Sequence, residues 1–294
     1  MAILGEGQAH GACSLLHAAA LGYGASLALN LPITVRLLDK PSKNELNDED
    51  NLLSFVFDAW DAHNAEYPHG LTRNDLHWSV RSKIPKKQGL KSSSALCVAA
   101  VRALSDAVSG DLSEQEIVRI AIDAQIRSGI SLTGSMDDTW ACATPGWKLI
   151  DTQAPFEEHI ILEGDGPKPD DWTVLLLLRG ERNVRPAIED FIPHQAAFQQ
   201  ALVALQDGNE LVALTWNGRG MASVLNDIQG RKMSNDSFVV SARAAGITGS
   251  GPAIVIVVPN HHQPTIDRIT SWYTMRNPDV ELIETNFLAP RSQE

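Results

Sequence analysis

"IPKKQGLKSSSALCVAA", residues 84 to 100, joins a short polar loop to an apolar helical pattern, and its reading decides the fold. From Ala95 onward Leu96, Ala99, Ala100, Ala103, Leu104 and Ala107 recur at helical spacing, which puts Ser92, Ser93 and Ser94 at a helix start. A helix N-terminus presents unpaired backbone N–H groups and the positive end of the macrodipole. Small, flexible residues ahead of it therefore make an anion site. Gly89 lets backbone approach a ligand closely, the serines offer hydroxyl donors or a metal ligand, and Lys91 adds positive charge. Capping a helix needs only one serine, so a plain cap is the alternative. The phosphate-loop pattern G-x-x-x-x-G-K-[ST] occurs nowhere in the chain.

Upstream, "ASLALNLPITVRLL" (25–38) mixes alternation with β-branched residues and predicts one or two strands, after a glycine turn in "HAAALGYGAS" (17–26). Downstream, the capping-box pair Ser113 and Glu116 opens a second helix with Ile117, Ile120, Ala121 and Ala124 on one face. The polar stretch "LEGDGPKPDD" (162–171) is the expected junction between domains, and "WTVLLLL" (172–178) predicts a buried strand. Residues 186 to 228 predict two helices separated near Asp207-Gly208. "GITGSGPAIVIVVP" (246–259) is a glycine-rich loop feeding a strand, followed by a helix around 264–276 and a short strand near 280–284. Strands mixed with helices in both halves predict an α+β fold, divided as 1–160 and 161–294.

Thirty-six acidic against 24 basic residues give a formal charge of −12, which disfavours nucleic acid or an anionic membrane as partner. The densest basic cluster, Lys83, Lys86, Lys87 and Lys91, has no interleaved aromatic residues on which bases could stack. Cys13, Cys97 and Cys142 are too few and scattered for a disulfide framework or a zinc knuckle. No Lys or Arg precedes Arg36, and glycines and Pro32 interrupt the apolar opening. Both features predict a cytoplasmic chain without signal peptide or membrane span.

Three further stretches could carry chemistry. In "TGSMDDTWA" (133–141) two adjacent carboxylates follow a small-residue turn. If extended they cannot point the same way, so one faces a shared pocket; a solvated turn is the alternative. "TGSGP" (248–252) has glycines that allow a tight turn with exposed N–H groups, or a plain loop-to-strand turn. "RGERNVRP" (179–186) sets Arg179, Arg182 and Arg185 three apart just after a buried strand, where a loop would emerge beside a cleft; ordinary surface solvation is the alternative. His261-His262 lies in a polar loop and reads as solvated rather than metal-binding.

"PKKQGLKSSSA" resembles the second motif of the GHMP superfamily of small-molecule kinases, with Pro85, Gly89, Leu90, Ser92 and Ser93 in matching places. Lys91 stands where most members have glycine and Ser94 where most have alanine, a variant similar to that of the archaeal-type shikimate kinase branch. "AHGACSLLHAAALGYGASLALNL" (9–31) resembles that branch's opening helix-turn-strand, "TGSMDD" its aspartate segment and "GITGSGPAIVIVV" the third motif.

The resemblance implies an N-terminal ribosomal-protein-S5-like domain and a C-terminal ferredoxin-like domain. It implies ATP and Mg²⁺, and phosphoryl transfer to the 3-hydroxyl of shikimate by a monomer or homodimer. Homoserine, pantoate or mevalonate are the alternative acceptors, and a non-catalytic ligand sensor is the alternative class. Residue by residue, it implies that Pro85, Gly89, Leu90, Lys91, Ser92, Ser93 and Ser94 hold the ATP phosphates with Gly249, Ser250 and Gly251. Ser93 would also bind Mg²⁺; where relatives supply an upstream glutamate this chain offers only Asp123, a departure for which an ordinary exposed helix face is the alternative. Asp137 is expected to be the acid-base residue ahead of its neighbour Asp138. His10, Thr133, Thr248 and Arg182 or Arg185 are expected on the acceptor. Lys91 either reaches a phosphate as a point charge or extends into solvent.

Overall fold

The chain, in the computed structural model, is described at all residues except 1, 43–45, 47, 49, 64–65, 132, 182–184, 261–262, 278 and 291–294. Two long strands, β1 (Ile3–Leu16) and β2 (Tyr23–Leu38), pair antiparallel and form the floor of the first half. Helix α1 (Leu52–Ala62) and strand β3 (His77–Ser82) follow, then three helices, α2 (Ser92–Ala107), α3 (Glu114–Ser128) and α4 (Met136–Ala143). Strands β4 (Trp147–Asp151) and β5 (Ile160–Gly164) complete a sheet of order β1-β2-β4-β5, with β3 also paired to β2.

The helix expected to open the chain is instead the strand β1. Its glycines face α2 so closely that a Cβ on Gly7 would sit 2.1 Å from the Ala99 carbonyl oxygen. Short side chains let the helix lie directly on the strand, and every residue from Gly11 to Leu16 is buried, on both faces. Period-two alternation is thereby erased, and an Ala- and Leu-rich strand spells like a helix. By contrast α3 starts where its capping box predicts: the Ser113 Oγ accepts from the Glu116 N–H while the Glu116 carboxylate accepts from the Ser113 N–H.

The second half runs β6 (Trp172–Leu178), α5 (Gln195–Gln206), α6 (Glu210–Val224), α7 (Ile228–Val239), β7 (Ala244–Ile247), β8 (Ile254–Pro259), α8 (Gln263–Arg276) and β9 (Glu281–Thr285). Its four strands are antiparallel in the order β7-β8-β6-β9, the split βαβ arrangement of a ferredoxin-like layer. The central pair β6 and β8 is apolar and buried nearly throughout, as the unbroken apolar runs predict. Helix α7 lies beyond the reach of the sequence reading, because "IQGRKMSNDSFV" has no apolar stripe; Asp227 caps it by accepting from the Gly230 N–H at 2.7 Å. Among the described residues no helix is long and apolar enough to cross a membrane.

The first sheet ends at Gly164 and the second begins at Trp172, so a division at 160/161 falls on the first residue of β5. The halves are stitched together: the Asn30 N–H donates to the Asn286 carbonyl at 2.8 Å, and α6 packs on β1.

Candidate active site

Residues 83 to 91 return the chain from β3 to α2 through positive φ at Lys87, Gly89 and Lys91. Gly89, at φ +79°, lies so close to the β7–β8 loop that a Cβ there would meet the Thr248 carbonyl oxygen at 2.2 Å. Gly249 answers it, since its own Cβ would lie 2.8 Å from the Gly89 oxygen. Two glycine turns from opposite halves thus touch backbone to backbone. A hydroxyl clasp locks them: the Ser14 N–H donates to the Thr248 Oγ1 (2.9 Å), that hydroxyl donates to the Gly89 carbonyl (3.3 Å), and the Gly249 N–H donates to the Ser14 Oγ (3.2 Å).

A cleft opens beside this clasp. Gly89, Ser92, Ser93, Gly249 and Ser250 line it, with Lys86 and Lys87 contributing positive charge. Ile33, Leu52, Val80 and Leu96 give it apolar wall; His17, Asp48, Asp50, Ser131, Thr133, Ser135, Asp138 and Arg185 also line the space. The motif residues Pro85, Leu90 and Gly251 do not line it. Leu90 is buried in the core, and Gly251 abuts Leu225 and Ile247. Thr248, expected on the acceptor, is buried and spends its hydroxyl on the clasp.

Lys91 occupies the N-cap position of α2 at φ 65° and makes no side-chain cap. The first-turn N–H groups therefore have no capping side chain and suit an anion. Of the three consecutive serines, Ser92 and Ser93 line the cleft. The Ser94 hydroxyl is turned away from the cleft and donates to the Gln125 Oε1 at 2.7 Å, which leaves only its backbone on the phosphate side. Gln125 in turn donates to the Thr139 Oγ1 at 2.8 Å, and Thr139 donates to the Ser135 carbonyl at 2.7 Å. This buried chain fixes the phosphate-loop helix α2, through α3, relative to the aspartate helix α4.

Asp137 and Asp138 stand in the first turn of α4 rather than in an extended turn, and successive helical residues diverge by about 100°. Asp138 faces the cleft, where its Oδ1 is 2.7 Å from the Lys91 Nζ and accepts from the Ser26 Oγ at 2.8 Å. Asp137 points inward onto β2 and is only 4% exposed. Gly24 makes the room: a Cβ there would lie 2.7 Å from the Asp137 Cγ. The expectation that Asp137 is the one facing the pocket is corrected accordingly.

Lys91 does not extend into solvent, its side chain being 8% exposed and pinned against Asp138. Burial alone would raise the Asp138 carboxyl, but the Lys91 ammonium and the Ser26 hydroxyl hold it below the usual carboxylate value. Burial and the neighbouring Asp138 charge push Asp137 well above that value. Burial opposes the charge on Lys91, yet Asp138 and Asp137 together raise it. The site therefore keeps one ionised acid and one cation side by side.

Thr133 and Arg185 face the cleft, and an Arg185 Nη2 donates to the Ile130 carbonyl. Arg182 and the pair His261-His262 lie outside the described residues. His10 sits on β1 away from the cleft lining. Asp123 is also elsewhere, paired with Arg127 at 2.9 Å and 3.9 Å from the His63 Nε2, so it is not a ligand in this cleft. His17, which shares the cleft with Asp138, and Ser26, which donates to it, lie inside the stretch 9–31 but were not singled out, since the apolar residues around them carry no local chemical signal. Among the described residues no three His, Cys, Asp or Glu side chains converge on one point. The Ser93 hydroxyl and the Asp138 carboxylate share the cleft, hard oxygen donors of the kind that fit Mg²⁺, which takes few protein ligands.

Residues 54–146 match the family model of the GHMP kinases N terminal domain. A shikimate kinase of Thermococcus kodakarensis is 31% identical over 185 residues, covering 62% of this chain and 65% of that protein's length. A shikimate kinase of Methanobrevibacter smithii is 24% identical over 275 residues, covering 90% of this chain and 92% of its own. Among solved structures the Methanococcus jannaschii mevalonate kinase superposes with a TM-score of 0.74 at 14% identity, over 96% of this chain and 98% of that one.

Proposed function

We propose, from the premise that this chain belongs to the GHMP kinase superfamily, that it transfers the γ-phosphoryl group of ATP to the 3-hydroxyl of shikimate. The observation that carries the reading is the Lys91–Asp138 pair, which sets an ionised acid beside an uncapped helix N-terminus in one cleft. On this reading the ATP phosphates lie along Gly89, Ser92, Ser93, Gly249 and Ser250, and the base lies against Ile33, Leu52, Val80 and Leu96. Ser93 and Asp138 would hold Mg²⁺, which supplies positive charge to the phosphate oxygens.

Asp138 orients the acceptor hydroxyl and takes its proton as the new O–P bond forms and the bond from the γ-phosphorus to the bridging oxygen of ADP breaks. Lys91 stays beside both and offsets the negative charge of the transferred group. Asp137, off the cleft, has no part in the proton transfer. No covalent enzyme intermediate enters. Arg185 and Thr133 supply donors for a carboxylate and a hydroxyl, which favours a small hydroxy acid as acceptor. Similarity to shikimate kinases favours shikimate among such acids.

ADP release measured with shikimate, homoserine, pantoate and mevalonate in turn tests the proposal. Turnover is expected with shikimate and lost in Asp138→Ala and Ser93→Ala. Turnover with another acceptor instead overturns the acceptor, and none with any of the four favours a ligand sensor.

A further inference from the structure

We infer that a phosphate dianion, free or as a monoester, binds between α5, α6 and α7, outside the cleft, and that α6 carries its effect to the glycine clasp. The inference goes beyond the reaction proposed above and does not depend on its acceptor. A hollow on the second half is lined by Ala197 of α5, Trp216, Arg219 and Ser223 of α6, and Arg231 and Asn235 of α7. On α6 the lining residues stand at i, i+3 and i+7 and share one face; on α7 they stand at i and i+4 and do the same.

Charge decides what this hollow takes. The chain carries 36 acidic against 24 basic residues, yet among the described residues no carboxylate pairs with Arg219 or Arg231. Asp227, the acid nearest Arg231 in sequence, is spent on Arg179 and on capping α7. The Arg219 guanidinium carbon lies 4.7 Å from the centroid of the Trp216 ring. That cation–π contact orients the planar fork and leaves its N–H donors available. Asn235 adds a neutral amide donor at the same place. Two guanidiniums lining one hollow repel each other unless an anion lies between them. A phosphate monoester, at about −1.5 to −2 near neutral pH, balances both, whereas a single carboxylate leaves one uncompensated.

The opposite face of the same helix reaches the clasp. Asn217 is wholly buried, accepts from the His17 backbone N–H at 2.9 Å and donates to the Ser14 carbonyl at 3.5 Å. Ser14 is the residue whose hydroxyl accepts from the Gly249 N–H. Next along α6, Gly218 lies so close to β7 that a Cβ there would be 2.2 Å from the Gly246 Cα. β7 then runs directly into Thr248 and Gly249, the other side of the clasp. A helix packed this closely shifts as a unit, so an anion that draws Arg219 toward Arg231 bears on both strands that hold the glycine turns.

Calorimetric titration of the intact, ADP-saturated chain with inorganic phosphate tests this, in wild type, Arg219→Gln, Arg231→Gln and Ser93→Ala. ADP keeps the phosphate loop occupied, and Ser93→Ala reports any phosphate that enters the cleft regardless. Phosphate should bind wild type and Ser93→Ala alike and each arginine variant roughly tenfold or more weakly, the range for losing a hydrogen bond to a charged group. Saturating phosphate should also change the ADP affinity of wild type by about fivefold or more, a change that Arg219→Gln abolishes. Methyl phosphate separates the sources: tighter binding than inorganic phosphate supports a monoester, weaker binding the free ion. Absence of binding to wild type overturns the inference, as does binding that Ser93→Ala removes and the arginine variants keep. Acetate bound as tightly as phosphate overturns the dianion, and phosphate binding that leaves ADP affinity unchanged overturns the coupling through α6.

Discussion

Replacing Lys91 by methionine keeps the length of the side chain and deletes only its ammonium. The Lys91 side chain is 8% exposed, Asp138 is 18% exposed, and the ions are 2.7 Å apart. Removing one partner of a buried pair leaves the other charge uncompensated, at a cost of about 3–5 kcal/mol. For 294 residues, unfolding entropy near 2.1 cal/mol/K per residue converts this to a melting temperature lower by about 5–8 °C.

The pH dependence separates this cause from lost packing. In wild type Asp138 is held below its unfolded value, so its contribution is present above that value and disappears as pH falls through the folded one. Lys91 is raised, so its contribution is present below its unfolded value and is lost only as pH rises through the folded one, in the alkaline range. Without the ammonium the Ser26 hydrogen bond to Asp138 remains, but burial and mutual repulsion outweigh it, and both Asp137 and Asp138 would be raised. A raised acid destabilises at high pH and is relieved by protonation. The deficit of Lys91→Met should therefore be largest near pH 8 and shrink toward pH 5, as read from circular-dichroism melts. Adding Asp138→Asn should restore a large part of it at pH 8, because the stranded charge is gone. A deficit constant across pH, or one that Asp138→Asn deepens, would refute the reasoning.

Asp138→Asn should lower kcat by about 10²–10⁴, the usual contribution of a general base, whereas Asp137→Asn, buried against Gly24, should change it far less. Coupled ADP release decides this, and the reverse order would restore Asp137 as the base. Gly89→Ala forces a Cβ against the Thr248 carbonyl at 2.2 Å and should part the two glycine turns. An ångström of displacement at the phosphate site corresponds to roughly a hundredfold loss of kcat/KM for ATP. Ser94→Ala strands the buried Gln125 amide oxygen and should cost about 1–3 kcal/mol in urea unfolding, with the KM for ATP unchanged. A raised KM with intact stability would put that hydroxyl back on the nucleotide.

Elements with local signatures were legible. The capping box at Ser113 marks α3, helical spacing marks α2, and unbroken apolar runs mark β6 and β8. Those decided by tertiary contact were not. β1 is packed against α2 through glycines, so its composition answers to the helix above it and not to strand propensity. α7 has no apolar stripe, and its start is fixed by Asp227, whose carboxylate also pairs with Arg179 from the end of β6. A local window contains neither partner.

The site divides along the same line. That a glycine, a lysine and serines precede a helix is local, and the loop they form lines the cleft. Which aspartate turns toward that loop is settled by Gly24 on β2, whose missing side chain admits Asp137 and leaves Asp138 to face the cleft. The position of Lys91 breaks a local rule outright. A side chain at φ 65° costs roughly 1–2 kcal/mol where glycine would cost little. At the same point the backbone begins α2 and the side chain reaches α4, so the strained residue sets its ammonium against Asp138. Local strain retained for a distant charge pair is expected at a functional site and hard to justify in a structural turn. The lysine that departs from the superfamily's glycine is thus better evidence for chemistry in this cleft than the serines that conform to it.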